Sequence, residues 1–315
     1  MNMQSLLQGV VLVTTLSVAS ARGEPSWAAF VLRAEKEPKL VAKYAAVSTA
    51  TYKSVAGTSL KLHVYQPTNL KPGETRPALV YYHGGGWLRG GPSVANPILI
   101  YLASRGVVGI DAQYRLLPGE GNGKASGPQD CLADAKSAMR WVRAHAAQYQ
   151  IDPANILAGG SSAGGHLAAA LATIPGYDDP ADDLTVPVMP RAVLLLNPAF
   201  DLVTGWGTGR RHAQEAGLDP AAFSPAQRVT AELPPFLILS GSKDGVCPPG
   251  VCKNFVAAMQ KLGNRAQFVE FPGEKHGFYN PKRNDGANFN RVVKEMDAFL
   301  QSIGVLSAPE GSGSW

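Results

Sequence analysis

Ser162 lies in the stretch Asn155-Ile156-Leu157-Ala158-Gly159-Gly160-Ser161-Ser162-Ala163-Gly164-Gly165-His166-Leu167. A short apolar run ends in glycines, a serine follows, and a segment of helical, Ala-rich composition begins at once. This is the strand, sharp turn and helix order of a G-x-S-x-G nucleophile elbow, which lifts a serine Oγ above a sheet. A turn this tight brings strand and helix together and leaves no room for Cβ atoms beside the serine. Two serines compete for the role. Centring on Ser162 places Gly160 and Gly164 at the flanking positions, whereas centring on Ser161 puts Ala163 where a glycine belongs, so Ser162 is taken as the nucleophile. A second stretch of chemical interest is His83-Gly84-Gly85-Gly86-Trp87. Three successive glycines are costly to order, and they expose backbone N–H groups to a developing oxyanion with no side chain in the way. Gly84, Gly85 and Gly86, with the N–H of Ala163 directly after the serine, are the expected oxyanion hole.

These groups need elements to hold them. Ala78 to Tyr82 reads as a buried strand running straight into the glycines, and the apolar run before Gly159 as the strand of the elbow. Leu60 to Tyr65 alternates as a half-buried strand should, Thr51 to Val55 is a shorter candidate, and Arg191 to Pro198 is another buried strand. Asp130 to Gln148 carries Leu132, Ala135, Met139 and Val142 at helical spacing, and residues 24–50 show a helical pattern too. The closing helix is expected at about Asn288 to Ile303. His166 falls on the helix after the elbow, pointing away along it, and is read as structural.

With 315 residues, 45% of them hydrophobic, the chain has ample core for a single α/β domain. Its formal net charge is +5, and its 29 Lys and Arg are dispersed. No dense basic run points to nucleic acid. Residues 1–23 read as a signal peptide. Leu6 to Val18 is mostly apolar but too short and Ser/Thr-broken for a membrane span, and Ala19-Ser20-Ala21 supplies a cleavage site, so the protein is expected to be secreted or periplasmic. The expected hydrolase domain is then 24–306, with a loose tail over 307–315. Export permits a disulfide between Cys247 and Cys252, five apart across Pro248-Pro249-Gly250, with Cys131 left as a buried free thiol. The spacing of the cysteines fits no zinc pattern.

His83-Gly84-Gly85-Gly86-Trp87 together with Gly160-Ser161-Ser162-Ala163-Gly164-Gly165 resembles the α/β-hydrolase esterases and lipases of the hormone-sensitive-lipase-like group. The likeness extends over roughly Thr51 to Gly304 and includes Val107 to Leu116, similar to the family's strand followed by Tyr-Arg-Leu. One departure is Ser161, which stands where the family commonly has Asp before the nucleophile; a charge is lost but no catalytic group. The resemblance implies an α/β fold, a doubly wound, mostly parallel sheet with helices on both faces and small cap elements.

It also implies where the rest of the machinery lies. Phe236 to Leu239 is a short apolar strand followed by Asp244, and Gln267 to Phe271 is another followed by His276. Side chains just past strand ends collect at the carboxyl edge of an open α/β sheet. The order Ser162, Asp244, His276 is that of α/β-hydrolases. Asp201 also follows a strand and is the rival acid, set second because Asp244 holds the family's position. Residues 24–50 and 202–233 are expected to supply the cap, with Trp87, Trp206 and Phe223 as pocket walls.

The expected activity is a secreted serine ester hydrolase acting on short, acetyl-type acyl groups through an acyl-enzyme, with no metal or organic cofactor. Its substrate would be a small-molecule or oligosaccharide ester. Alternatives within the class are an acetyl-xylan or other polysaccharide deacetylase, a feruloyl-type esterase, or a long-chain lipase. A prolyl-oligopeptidase-like peptidase shares the residue order but usually needs a large N-terminal domain for which residues 24–50 leave no space. A non-catalytic binding protein is disfavoured because all three triad positions are filled.

Overall fold

The computed structural model describes residues 26–55, 57–118 and 125–307. The proposed leader, residues 1–23, lies outside the described residues, as does nearly all of the proposed tail. Among the described residues, eight strands form one sheet in the order β1-β2-β4-β3-β5-β6-β7-β8. They are β1 (Ala45–Val55), β2 (Thr58–Pro67), β3 (Arg76–Tyr82), β4 (Val108–Ala112), β5 (Ile151–Ser161), β6 (Val193–Leu196), β7 (Phe236–Gly241) and β8 (Ala266–Phe271). The pairs β1–β2 and β2–β4 are antiparallel. All pairs from β4 through β8 are parallel.

Parallel strands covered on both faces read as continuous apolar runs, and β3 illustrates why. Ala78, Val80 and Tyr82 point into one core, and Leu79 and Tyr81 into the other. The first core is covered by α4 (Pro128–Ala144), α5 (Ala163–Thr173) and α7 (Pro249–Lys261). The second is covered by α1 (Trp27–Ala34), α3 (Pro97–Ser104) and α8 (Ala287–Ser302). Every residue of α5 is buried; small Ala and Gly side chains let it lie close against the sheet on one side and α4 on another.

The region 24–50 departs from the helical expectation. It holds α1 and the short α2 (Pro38–Val41), but Ala45 onward is already β1. Only Ala45 of this edge strand is buried, the rest being half-buried or exposed, so no buried face stamps an alternating pattern on its sequence. Its conformation comes from the ladder with β2. Nor does α1 reach the cap: Trp27 packs edge-on against Tyr101 at 4.9 Å, and the Ala28 N–H donates to Asn290 Oδ1 at 3.0 Å. That places it behind the sheet, against α3 and α8.

Candidate active site

Strand register delivers the site. Tyr82 of β3 is level with Gly160 of β5, Ser161 with Leu196 of β6, and Leu196 with Leu239 of β7. The residues that follow these ends therefore meet at one edge. The chain leaves β3 to one side to form β4 and returns on the other as β5, which opens a crevice at the carboxyl ends of the strands.

Ser162 sits in the crevice with φ 53° and ψ −120°, a sparsely populated conformation for a residue with a side chain. Its neighbours hold it there. The Ser162 N–H donates to Leu196 O at 3.1 Å, and its carbonyl accepts from His166 N at 3.1 Å and Ala199 N at 2.9 Å. The need for Gly164 is steric: a Cβ there would lie 2.0 Å from Tyr82 O.

Three side chains from three strand ends are in line. His276 Nε2 is 2.9 Å from Ser162 Oγ, and its Nδ1 is 2.8 Å from Asp244 Oδ2 and 3.0 Å from Oδ1. Asp244 also accepts from Val246 N at 2.8 Å, Cys247 N at 2.9 Å and Ser240 Oγ at 3.3 Å. Burial by itself would raise its pKa, but the bonds from His276 and from the Cys247 and Val246 amides outweigh it and hold the carboxyl below the usual range. The loops carrying acid and base are tied together, Lys243 N–H donating to Glu274 O at 2.8 Å and Gly273 N–H to Ser242 Oγ at 2.7 Å.

Asp201 is brought elsewhere. It is buried, and its Oδ1 accepts from Val203 N at 2.8 Å and Thr204 N at 3.3 Å while Oδ2 accepts from Thr204 Oγ1. It closes its own turn. Ser161 is buried too, its hydroxyl beside the Tyr81 and Tyr279 phenols rather than in line with His276. His166, fully buried, bonds through Nε2 to Phe223 O at 2.8 Å, and burial lowers its pKa to about 4.

The glycine stretch turns across the front of Ser162. Gly85 has φ 124°, and a Cβ there would meet Arg89 O at 2.0 Å, so the turn admits only glycine. Gly84, Gly85 and Gly86 line a cavity of about 570 Å³ together with Ser161, Ser162, Trp206, Val246 and His276. Ala163 N–H opens α5 beside the nucleophile, where the unpaired amides of a helix start favour negative charge.

Two of the three expected pocket walls are not walls. Trp87 has φ 64° and is fully buried, its ring turned behind the glycines against Trp206 at 4.6 Å and His166 at 5.0 Å. Phe223 is also fully buried, next to His166 and Tyr177. Only Trp206 faces the cavity, joined by Thr208 at the start of α6 (Gly207–Glu215). The expected cap contribution from 24–50 is absent from the lining. Leu88, Arg89, Asn197, Gly277 and Tyr279 line the cavity instead; the last two lie within three residues of His276, a proximity that could have marked them.

The expected disulfide is not formed. Cys247 and Cys252 are buried free thiols with sulfurs 3.2 Å apart, well beyond the ~2.05 Å of an S–S bond. Burial pushes the Cys247 thiol pKa up. Among the described residues, no group of three or more His, Cys, Asp or Glu could hold a metal ion, and no helix is long and apolar enough to cross a membrane.

Comparison with known proteins places this geometry. Residues 79–280 match the alpha/beta hydrolase fold family model. The chain is similar to esterase LipC of Mycobacterium tuberculosis, with 28% identity over 249 residues, 74% of this chain and 60% of that protein. It is also similar to carboxylesterase NlhH of the same organism, at 25% identity over 71% of this chain and 72% of that one. The match thus spans about three-fifths of LipC's length. Among solved structures, Thermogutta terrifontis esterase 2 with butyrate bound has 38% identity and a TM-score of 0.76, covering 85% of this chain and 96% of that one. The same esterase has also been solved phosphorylated by paraoxon.

Proposed function

The chain belongs to the α/β-hydrolase family, and from that premise we propose that it is a serine carboxylic-ester hydrolase for short acyl groups. The observation that carries the reading is the unbroken line from Ser162 Oγ through His276 to Asp244, at 2.9 and 2.8 Å. His276 Nε2 takes the Ser162 proton as Oγ attacks the ester carbonyl carbon, while Asp244 fixes the tautomer with the proton on Nδ1 and stabilises the imidazolium. The carbonyl oxygen gathers negative charge and is held by the N–H groups of Ala163 and of the 84–86 glycines. The C–O bond then breaks, the alcohol leaves with the His276 proton, and water releases the acid by the same route.

Substrate size follows from the walls. An open cavity of about 570 Å³ lined by Trp206 and Val246 suits a small acyl group, because each further methylene contributes about 0.8 kcal/mol only where it is buried. The butyrate bound by the Thermogutta esterase supports the same size class. On a series of 4-nitrophenyl esters, kcat/KM is expected to be highest from acetate to butyrate and to fall beyond about C6–C8, the reach of a pocket of ordinary ligand size. A rate climbing steadily to palmitate would replace this reading with a lipase. Residues 1–23 give the further proposal of export. Amino-terminal sequencing of protein recovered outside the cytoplasm is expected to start after Ala21 or Gly23, and retention of Met1 there would remove it.

A further inference from the structure

We infer that Asn197 is a catalytic donor that stabilises the departing alcohol oxygen, an inference that rests on the Ser162–His276 reading above. Asn197 follows directly on β6 and is 1% exposed, yet it lines the cavity. Its backbone is held in the left-handed region at φ 38°, with its N–H donating to Leu239 O at 2.7 Å. That conformation is uncommon for a residue with a side chain and is tolerated best by glycine and asparagine.

The amide orientation is set by its neighbours. The Gly277 N–H donates to Asn197 Oδ1 at 3.3 Å, so the oxygen faces the base loop and Nδ2 faces His276 Nε2, also at 3.3 Å. In the resting site two donors, Ser162 Oγ–H and Asn197 Nδ2–H, share one acceptor, the Nε2 lone pair. Once Nε2 has taken the serine proton it accepts nothing, and the Nδ2–H needs a new partner. The leaving oxygen is the group that meets this need. It must come within hydrogen-bond reach of Nε2–H to be protonated, which brings it close to Nδ2 as well.

The step balances without any further reactant. The C–O bond of the tetrahedral intermediate breaks, its electron pair goes to the alcohol oxygen, and the proton on Nε2 moves to that oxygen. Asn197 donates a hydrogen bond throughout and transfers no proton. In deacylation the same donor meets the oxygen of the attacking water, as reversibility of the path requires.

A donor of this kind matters only where the leaving oxygen is strongly basic. Ethyl acetate must release an alcohol whose oxygen becomes strongly basic as the bond breaks, and 4-nitrophenyl acetate expels a weakly basic phenolate that needs little help. The test is therefore the ratio of kcat/KM for the two esters in Asn197→Gly and Asn197→Asp. The first removes the side chain where glycine suits the backbone. The second keeps the shape and the Gly277 contact and replaces the Nδ2 donor by oxygen. Thermal melts identify the variants that are folded at the assay temperature. The ethyl ester is expected to lose about 100-fold more than the aryl ester, the lower end of the range for removal of one donor to a developing oxyanion. Equal losses on both esters would reduce Asn197 to a support for His276 and overturn the inference, as would no loss on either. Wild-type protein that hydrolyses neither ester would instead sink the esterase reading itself.

Discussion

Two buried aspartates near the same sheet edge titrate in opposite directions. Asp244 and Asp111 are 3% and 1% exposed, so burial alone cannot separate them. Asp244 receives donors on both oxygens: Val246 N and Cys247 N on Oδ1, Ser240 Oγ on Oδ2, and His276 across the pair. Asp111, on β4, accepts from Ser93 N at 3.0 Å and Asn96 Nδ2 at 2.9 Å, both on Oδ2, and its Oδ1 has no partner. Burial wins there and raises the Asp111 pKa to about 7, whereas the donors win at Asp244 and lower it. A carboxylate acts as a permanent anion inside a protein only where the chain has turned enough N–H and O–H groups toward it. The loop after β7 is built to do that.

The comparison breaks most visibly under isosteric substitution. Asp244→Asn is expected to lower kcat by about 10⁴, since the amide presents the wrong partner to His276 Nδ1. Asp111→Asn is expected to leave kcat within a few-fold, and Asp201→Asn likewise, because Asp201 bonds to its own turn and to Gln227 and not to His276. Steady-state kinetics on one aryl ester checks all three. A collapse with Asp201→Asn and near-normal rates with Asp244→Asn would reassign the acid.

The second contrast is in stability. Folded Asp111 keeps its proton up to about pH 7, whereas an unfolded aspartate releases its proton near pH 4. Between these values the unfolded state binds fewer protons, so this group subtracts stability as pH rises, and does so fully above pH 7. Asparagine can accept both existing bonds on its one oxygen and never ionises. Asp111→Asn is therefore expected to be more stable than wild type at pH 8, by ~4 kcal/mol, and to lose that advantage near pH 4. Urea melts at the two pH values measure this. An equal difference at both would remove the titration from the explanation.

Smallest of all is Ser161→Ala. Ser161 lies beside the Tyr81 and Tyr279 phenols, and it is Ser162 that pairs with His276, so its loss is expected to cost a few-fold in kcat/KM.

Much of this was readable before any coordinates, for reasons that differ by region. Strands buried on both faces leave apolar runs, and β3 through β7 were visible as such, with Gly160, Ser162 and Gly164 marking the turn that only small residues allow. What stayed hidden depends on contacts distant in sequence. The left-handed turn at Trp87 sends a large ring inward, and nothing in its spacing says so. Phe223 is buried by His166 and Tyr177, which come from other segments. Edge strand β1 lacks a buried face and so lacks an alternating pattern. Asn197, before a proline, reads as the end of a strand; its place beside His276 comes from a contact 79 residues away.

The identity of the nucleophile is tested most directly by reaction with paraoxon, followed by tandem mass mapping of the peptide that spans Gly159 to Leu167. The expected result is one diethylphosphoryl group on Ser162, formed equally in Ser161→Ala, and absent in Ser162→Ala together with activity. Labelling of Ser161, or full activity in Ser162→Ala, would contradict the assignment of Ser162 as the serine that His276 activates.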